Sequence, residues 1–187
     1  KTLVFKQLMN YSKKIILQYG FSGFLFSFTA LPLFIVTPVL YENKNGLSLA
    51  IVGLILMIVR FTDAITDPII GRCVDITSGQ RFLKWIIPSI VTLVFSFFWL
   101  MNPPEDFPSF FYSLTRLCFF LLLVSISNGA ALLAYQSWVL SITEKSQQQL
   151  RFVTSREMFT LVGVIVASYF ATQRMFLGMS IVVIVCS

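Results

Sequence analysis

Arg60-Phe-Thr-Asp-Ala-Ile-Thr-Asp-Pro-Ile-Ile-Gly-Arg-Cys-Val-Asp75 is the stretch whose reading decides the fold. It continues directly from Leu47–Val59, a run without a charged residue, so its first acids lie inside an apolar segment of membrane length. Arg60, Asp63 and Asp67 stand at i, i+3 and i+7, which places all three on one face of an α-helix. An ionised side chain at membrane depth costs roughly 3 kcal/mol on insertion scales, and such groups face a protein interior or an aqueous cavity. Pro68 has no N–H for the carbonyl of Ala64, which frees an oxygen beside the two carboxylates. These oxygens and the Thr62 and Thr66 hydroxyls are hard donors of the kind a small cation prefers. The stretch reads as a cation site inside a transporter, with Asp63, Asp67 and Thr66 as ligands and Arg60 as the neighbouring counter-charge. One arginine against two acids leaves a carboxylate uncompensated, which an ion pair that merely locks two helices does not need.

Composition points the same way. Of 187 residues, 57% are hydrophobic, 16% aromatic and only 12% charged, with a mean hydropathy of +0.84. Soluble domains are about a quarter charged. The expected class is all-α, a polytopic transmembrane helix bundle. The net charge of +6 is spread over the loops, where it acts as a topology signal and gives no support to nucleic acid as a partner. Cys73, Cys118 and Cys186 lack CxxC spacing and read as small buried side chains, and there is no histidine. No cofactor is implied beyond a coupling ion. Lys1–Lys14 is too polar for a signal peptide.

From the N-terminus, helices are expected at about Ile15–Leu40, Leu47–Val74, Trp85–Met101, within Phe110–Leu140, and from near Ser155 to about Thr172. Tyr41–Gly46 and Thr143–Arg151 read as loops. A last apolar run, Met175–Ser187, has 13 residues, roughly 20 Å as a helix, too short for a core of about 30 Å. Ser125-Ile-Ser-Asn-Gly129 is a patch of small residues that permits close helix contact, and Asn128 must find a hydrogen-bond partner there. Tyr135 and Trp138 read as interface anchors. Basic residues place the N-terminus inside: Lys1, Lys6, Lys13, Lys14, Arg72, Arg81, Lys84, Lys145, Arg151 and Arg156 then face the cytoplasm, against Lys44 and Arg174 outside. Localisation in the plasma (inner) membrane is expected. Asp75, at a helix end near Arg72 and Arg81, reads as a structural or gating residue.

Asp63-Ala-Ile-Thr-Asp-Pro-Ile-Ile-Gly71 after Arg60 resembles the helix-2 signature of the glycoside–pentoside–hexuronide:cation symporters, melibiose-permease-like carriers of the major facilitator superfamily. Ala134-Tyr-Gln-Ser-Trp138, a polar loop and Arg151-Phe-Val-Thr-Ser-Arg-Glu157 are similar to the family's helix 4 and the start of helix 5. Tyr19-Gly20-Phe21 fits the opening of its helix 1. The resemblance implies the N-terminal half of a twelve-helix protein, five full helices and a truncated sixth, with the C-terminal six-helix half absent. It implies Asp63 and Asp67 as cation ligands, Arg156 as a residue lining the solute site and Gln136 at a stacking position; Asn128 is a further candidate for solute binding. It also marks departures. Phe26-Ser27 and Leu132 stand where the melibiose permease has charged sugar-binding groups, and Gly129 stands where it offers a threonine to the cation. Cation coupling is therefore expected to be retained, with Na⁺ as the ion and H⁺ as its rival. The solute is expected to be a glycoside, a uronate or, through the family's wider kin, a lysophospholipid-like amphiphile.

Two other classes are weaker. An intramembrane prenyltransferase needs a second acidic cluster to complete its metal clamp, and Glu42, Asp75, Glu105, Asp106, Glu144 and Glu157 do not form one in the sequence. A non-transporting scaffold would not need the carboxylates at all.

Overall fold

The computed structural model describes residues 13–76, 82–104, 110–143, 146–173 and 175–186. Six helices follow one another among them: α1 (Lys13–Asn45), α2 (Leu49–Ile76), α3 (Leu83–Met101), α4 (Phe110–Ile142), α5 (Ser146–Thr172) and α6 (Phe176–Cys186). Four of these, α1 to α4, are long and apolar enough to cross a membrane. α5 has 27 residues and gathers Arg151, Arg156 and Glu157 in its first half. α6, with 11 residues, is apolar and short. The protein is an all-α polytopic bundle, an integral membrane protein, as the apolar runs predict. Its outer face carries Phe111, Ile165 and Val185 at 76, 69 and 79% exposure, a surface suited to lipid rather than water.

Parts of two stretches read as loops, residues 41–45 and 146–151, are helical. α1 runs unbroken through Pro32 and Pro38 to Asn45, because Tyr41 is buried and donates its hydroxyl to the carbonyl of Leu100 at 3.3 Å. Tertiary packing thus holds the last turn, which ends at Gly46, φ 65°, where a glycine accepts the left-handed conformation without penalty. α5 starts at Ser146, nine residues before the expected Ser155, since Gln147-Gln-Gln-Leu-Arg151 are all good helix formers.

The main core draws on all six helices, from Phe28 and Val59 to Phe97, Leu121, Ala167 and Met179. α1 lies along α5, and α4 sits between α2 and α3. The α1–α5 approach is close enough that a methyl on Gly23 would fall on the carbonyl of Arg156, and one on Gly163 would lie 2.7 Å from the carbonyl of Phe24. Small residues at such a crossing let backbones meet. Ser155 crosses the same seam, donating to the carbonyl of Ile16 at 3.1 Å. Tyr135 and Trp138 turn inward, packing on Tyr19 at ring-centroid distances of 6.3 and 6.4 Å. Both rings are tilted against that of Tyr19, and with Val139 and Phe152 they close a second apolar cluster inside the bundle.

At the far end, Arg116 is 7% exposed. Its Nη2 donates to the carbonyls of Trp99 at 2.7 Å and Asn102 at 3.2 Å, and its guanidinium lies over Trp99 and Phe120, 5.4 and 5.6 Å from the ring centroids. The free carbonyls ending α3 carry partial negative charge, which makes this burial tolerable. Asn102 also donates to Ser180 at 2.9 Å, tying α6 to α3.

Candidate functional site

α2 and α4 run parallel, and three of their contacts keep the same register. The Ser125 hydroxyl lies 2.8 and 2.7 Å from the two carboxylate oxygens of Asp63. One turn on, Asp67 lies over Gly129, where a methyl would stand 2.8 Å from Oδ1. Two turns further, Ser137 donates to Asp75 Oδ1 at 3.0 Å. Acids spaced four and eight apart on α2 therefore meet small or hydroxylated residues spaced four and eight apart on α4, as two parallel helices in register require.

The stripe on α2 divides in space. Asp63, its side chain 14% exposed, turns to α4, while Arg60, 61% exposed, reaches sideways. Arg60 Nη1 lies 3.7 Å from Asp63 Oδ2, beyond hydrogen-bond range, and its guanidinium sits over the Phe34 ring of α1, 3.9 Å from the centroid. A cation–π contact at this distance contributes about 0.5–2 kcal/mol. Thr62 donates to the carbonyl of Ile58 at 3.0 Å, and Thr66 Oγ1 is 3.5 Å from the carbonyl of Asp63. Both hydroxyl protons point back along α2, which leaves only lone pairs for a cation.

A cavity of about 550 Å³ opens beside these groups, with Arg60, Asn128, Leu132, Arg156 and Glu157 among its lining residues. Asn128 has a polar neighbour at its depth: its side-chain amide meets the Thr29 hydroxyl of α1 at 3.3 Å, a hydroxyl that also lies 3.1 and 3.0 Å from the carbonyls of Leu25 and Phe26. Arg156 donates to Glu157 Oε1 at 2.6 Å and lies beside the Tyr19 hydroxyl. Gln136 is half-buried on α4 and is not among the lining residues. Arg81 lies outside the described residues. A recess of about 690 Å³ elsewhere is lined by Ile87, Ile90, Val91, Phe95 and other apolar side chains, with nothing to orient a polar solute.

Charged groups around a central recess in an apolar bundle are the anatomy of a carrier. The family model described as MFS/sugar transport protein matches residues 18–181. The chain belongs to that family. Its bundle has the architecture of the N-terminal half of the major facilitator fold, and its activity is secondary transport rather than catalysis. Among the described residues no three of His, Cys, Asp and Glu come together as a metal cage.

The sequence reading did not assign two residues that matter here. Ser125 was part of a small-residue patch, and the signal that identifies it is its i, i+4 spacing to Gly129, matching Asp63 and Asp67. Phe34, the seat of Arg60, carries no signal of its own in a chain with 20 phenylalanines.

Proposed function

We propose that the protein is a cation-coupled symporter, Na⁺ being the ion and H⁺ the rival, in which Asp63 and Asp67 on α2 hold the cation against α4. The observation that supports this reading is the pair of carboxylates turned to α4 beside a solute-sized cavity. Arg60 offsets about one negative charge and leaves about one for a monovalent ion. Thr66 and Ser125 offer lone pairs, and the carboxylates supply the charge. A proton needs only one carboxylate, so two in register favour sodium.

Alternating access requires two bundles rocking about a central site. α2 is suited to face a second bundle: only 17% of its span is buried, against 56% for α1. In this reading the six helices form one wall, and a further six-helix bundle forms the other, with Asp75 and the basic residues at that end, Arg81 included, gating the cytoplasmic side. The solute is a glycoside, a uronate or an amphiphile, and Arg156 and Asn128 line its cavity; the apolar Phe26 and Leu132 weigh against a polyol such as melibiose.

The test is uptake by the complete carrier, with both bundles present, into proteoliposomes at fixed pH, with and without an inward sodium gradient. The reading expects sodium to drive uptake, and Asp63→Asn or Asp67→Asn to reduce that component at least about tenfold, as loss of an ionic ligand should. Uptake that ignores sodium and follows a pH gradient would assign the proton. Uptake indifferent to both substitutions would remove the site.

A further inference from the structure

α1 is fastened differently at its two ends. Its first half lies tight on α5, where Gly20 and Gly23 leave no room for a methyl beside Ser155, Phe159 and Arg156. The ring of Phe28 then meets that of Phe170 edge-on, centroids 6.1 Å apart. Beyond that contact the two helices part. A recess of about 470 Å³ lies between residues 35–44 of α1 and the end of α5 with the start of α6, and Val39, Leu40, Ala171 and Phe176 are among its walls. The last turns of α1 are held by α3 instead: Tyr41, fully buried, donates to the carbonyl of Leu100 at 3.3 Å. Arg116 of α4 holds the nearby carbonyls of Trp99 and Asn102, and Asn102 donates to Ser180 of α6. One end of α1 is therefore tied to α5, and the other to a clasp of α3, α4 and α6. Between the ends the backbone is weakened. Pro32 and Pro38 lie inside α1, and neither has an N–H, so the carbonyls of Phe28 and Phe34 lose their helical donors. The hydroxyls of Ser22, Ser27 and Thr29 bond carbonyls three or four residues back, the reach of a regular turn. Thr37, fully buried, reaches five residues back, to the carbonyl of Pro32 at 3.2 Å. The turn between the prolines is thus opened relative to an α-helix, and sharp bends in helices concentrate at such turns.

We propose that residues 32–38 are a hinge and that α1 moves as two bodies, residues 13–31 with α5 and residues 39–45 with the clasp of α3, α4 and α6. This goes beyond the proposed function, in which the six helices form one wall: the wall itself bends, whatever ion or solute is carried. The recess gives the bend its room. Tilting the α1–α5 pair widens or narrows it without breaking the glycine seam below or the hydrogen bonds of the clasp. Thr37 limits the swing, because its hydroxyl bonds across the opened turn.

The experiment measures distance distributions between paired spin labels by dipolar electron paramagnetic resonance, on the complete carrier in lipid nanodiscs. Cys73, Cys118 and Cys186 are replaced by serine, and cysteines for labelling are placed at three pairs of exposed positions. Leu17 with Met158 lies within the first body, Asn43 with Phe110 within the second, and Asn43 with Thr172 across the recess. A swing of roughly 20° over the lever from residue 35 to residue 43, about 12 Å, displaces Asn43 by about 4 Å. We expect the Asn43–Thr172 distribution to be broader than the other two by about that displacement. Pro32→Ala with Pro38→Ala restores the missing N–H groups and should narrow it to their width. Thr37→Val removes the hydroxyl at nearly constant shape and should broaden it further. The three native widths decide by themselves should a variant fail to fold. Equal widths in the three native pairs, an Asn43–Phe110 distribution as broad as that across the recess, or a breadth across the recess that survives both alanines would overturn the hinge. A width unchanged by Thr37→Val would overturn its bracing. Loss of the carrier reading in the uptake test leaves these distances untouched, so the two fail separately.

Discussion

The two parallel helix pairs meet in opposite ways. Along α1 and α5 the contact is backbone on backbone: Gly23 against the carbonyl of Arg156, Gly163 against Phe24 and Ser27. Along α2 and α4 it is carboxylate on hydroxyl or on bare glycine, at Asp63–Ser125, Asp67–Gly129 and Asp75–Ser137. The first kind of contact has one good geometry, because dispersion falls off steeply with a small gap and overpacking is costly. The second is made of hydrogen bonds that can be exchanged for a cation. A carrier needs both: a rigid pair that transmits motion as a body, and a polar pair whose contacts depend on what is bound.

The comparison breaks most sharply at the rigid seam. Gly163→Val places two extra methyl groups against the carbonyl of Phe24 and the hydroxyl of Ser27, where even the first carbon has no room. Neither partner is the free end of a flexible chain, so α1 and α5 must separate. We expect a loss of stability of about 3 kcal/mol or more, seen as aggregation or a large drop in the melting temperature in detergent. A melt within two or three degrees of the native protein's, about 1 kcal/mol or less, would show that the seam is looser than described.

A smaller effect is expected at the polar pair. Ser125→Ala removes the hydroxyl that α4 gives to Asp63, a hydrogen bond to a charged group contributing about 1.5–3 kcal/mol. Part of that loss should appear as a lower melting temperature and part as a several-fold rise in the sodium concentration that half-saturates uptake. An unchanged sodium dependence would separate Ser125 from the cation site. Smallest of all should be Gly129→Ala. Its methyl stands 2.8 Å from Asp67 Oδ1, but a half-exposed carboxylate can swing aside at a cost of about 1 kcal/mol. The variant should fold normally and bind sodium a few-fold more weakly. Tighter sodium binding would show that Asp67 is better placed away from α4.

The fold was legible because its signal is strong: each long apolar run became a helix. The boundaries that moved did so for local reasons. Tyr41 extends α1 by burying its ring and bonding α3, a contact between residues 59 apart in sequence, and the glutamines after Ser146 carry helix propensity that their polarity disguises. For the site, helical spacing was enough to put Asp63 and Asp67 on one face. It could not separate Arg60 from them, because the direction of a long side chain is set by its neighbours, here Phe34. Nor could it show that the Thr62 hydroxyl proton would go to the carbonyl of Ile58 on its own helix. The α2–α4 register was present in the sequence as two matching i, i+4 patterns, but nothing local says that those two helices touch.

The most direct test of the central claim, that cation binding acts on α2 with α4 and spares α1 with α5, is hydrogen–deuterium exchange of the protein in lipid nanodiscs, in sodium chloride against choline chloride at one pH. The account predicts slower exchange in sodium across residues 60–70 and 122–132 together, with residues 16–28 and 155–165 unchanged, and no such protection in Asp63→Asn. Exchange identical in the two salts over residues 60–70 and 122–132, or protection centred on α1 and α5 instead, would contradict it.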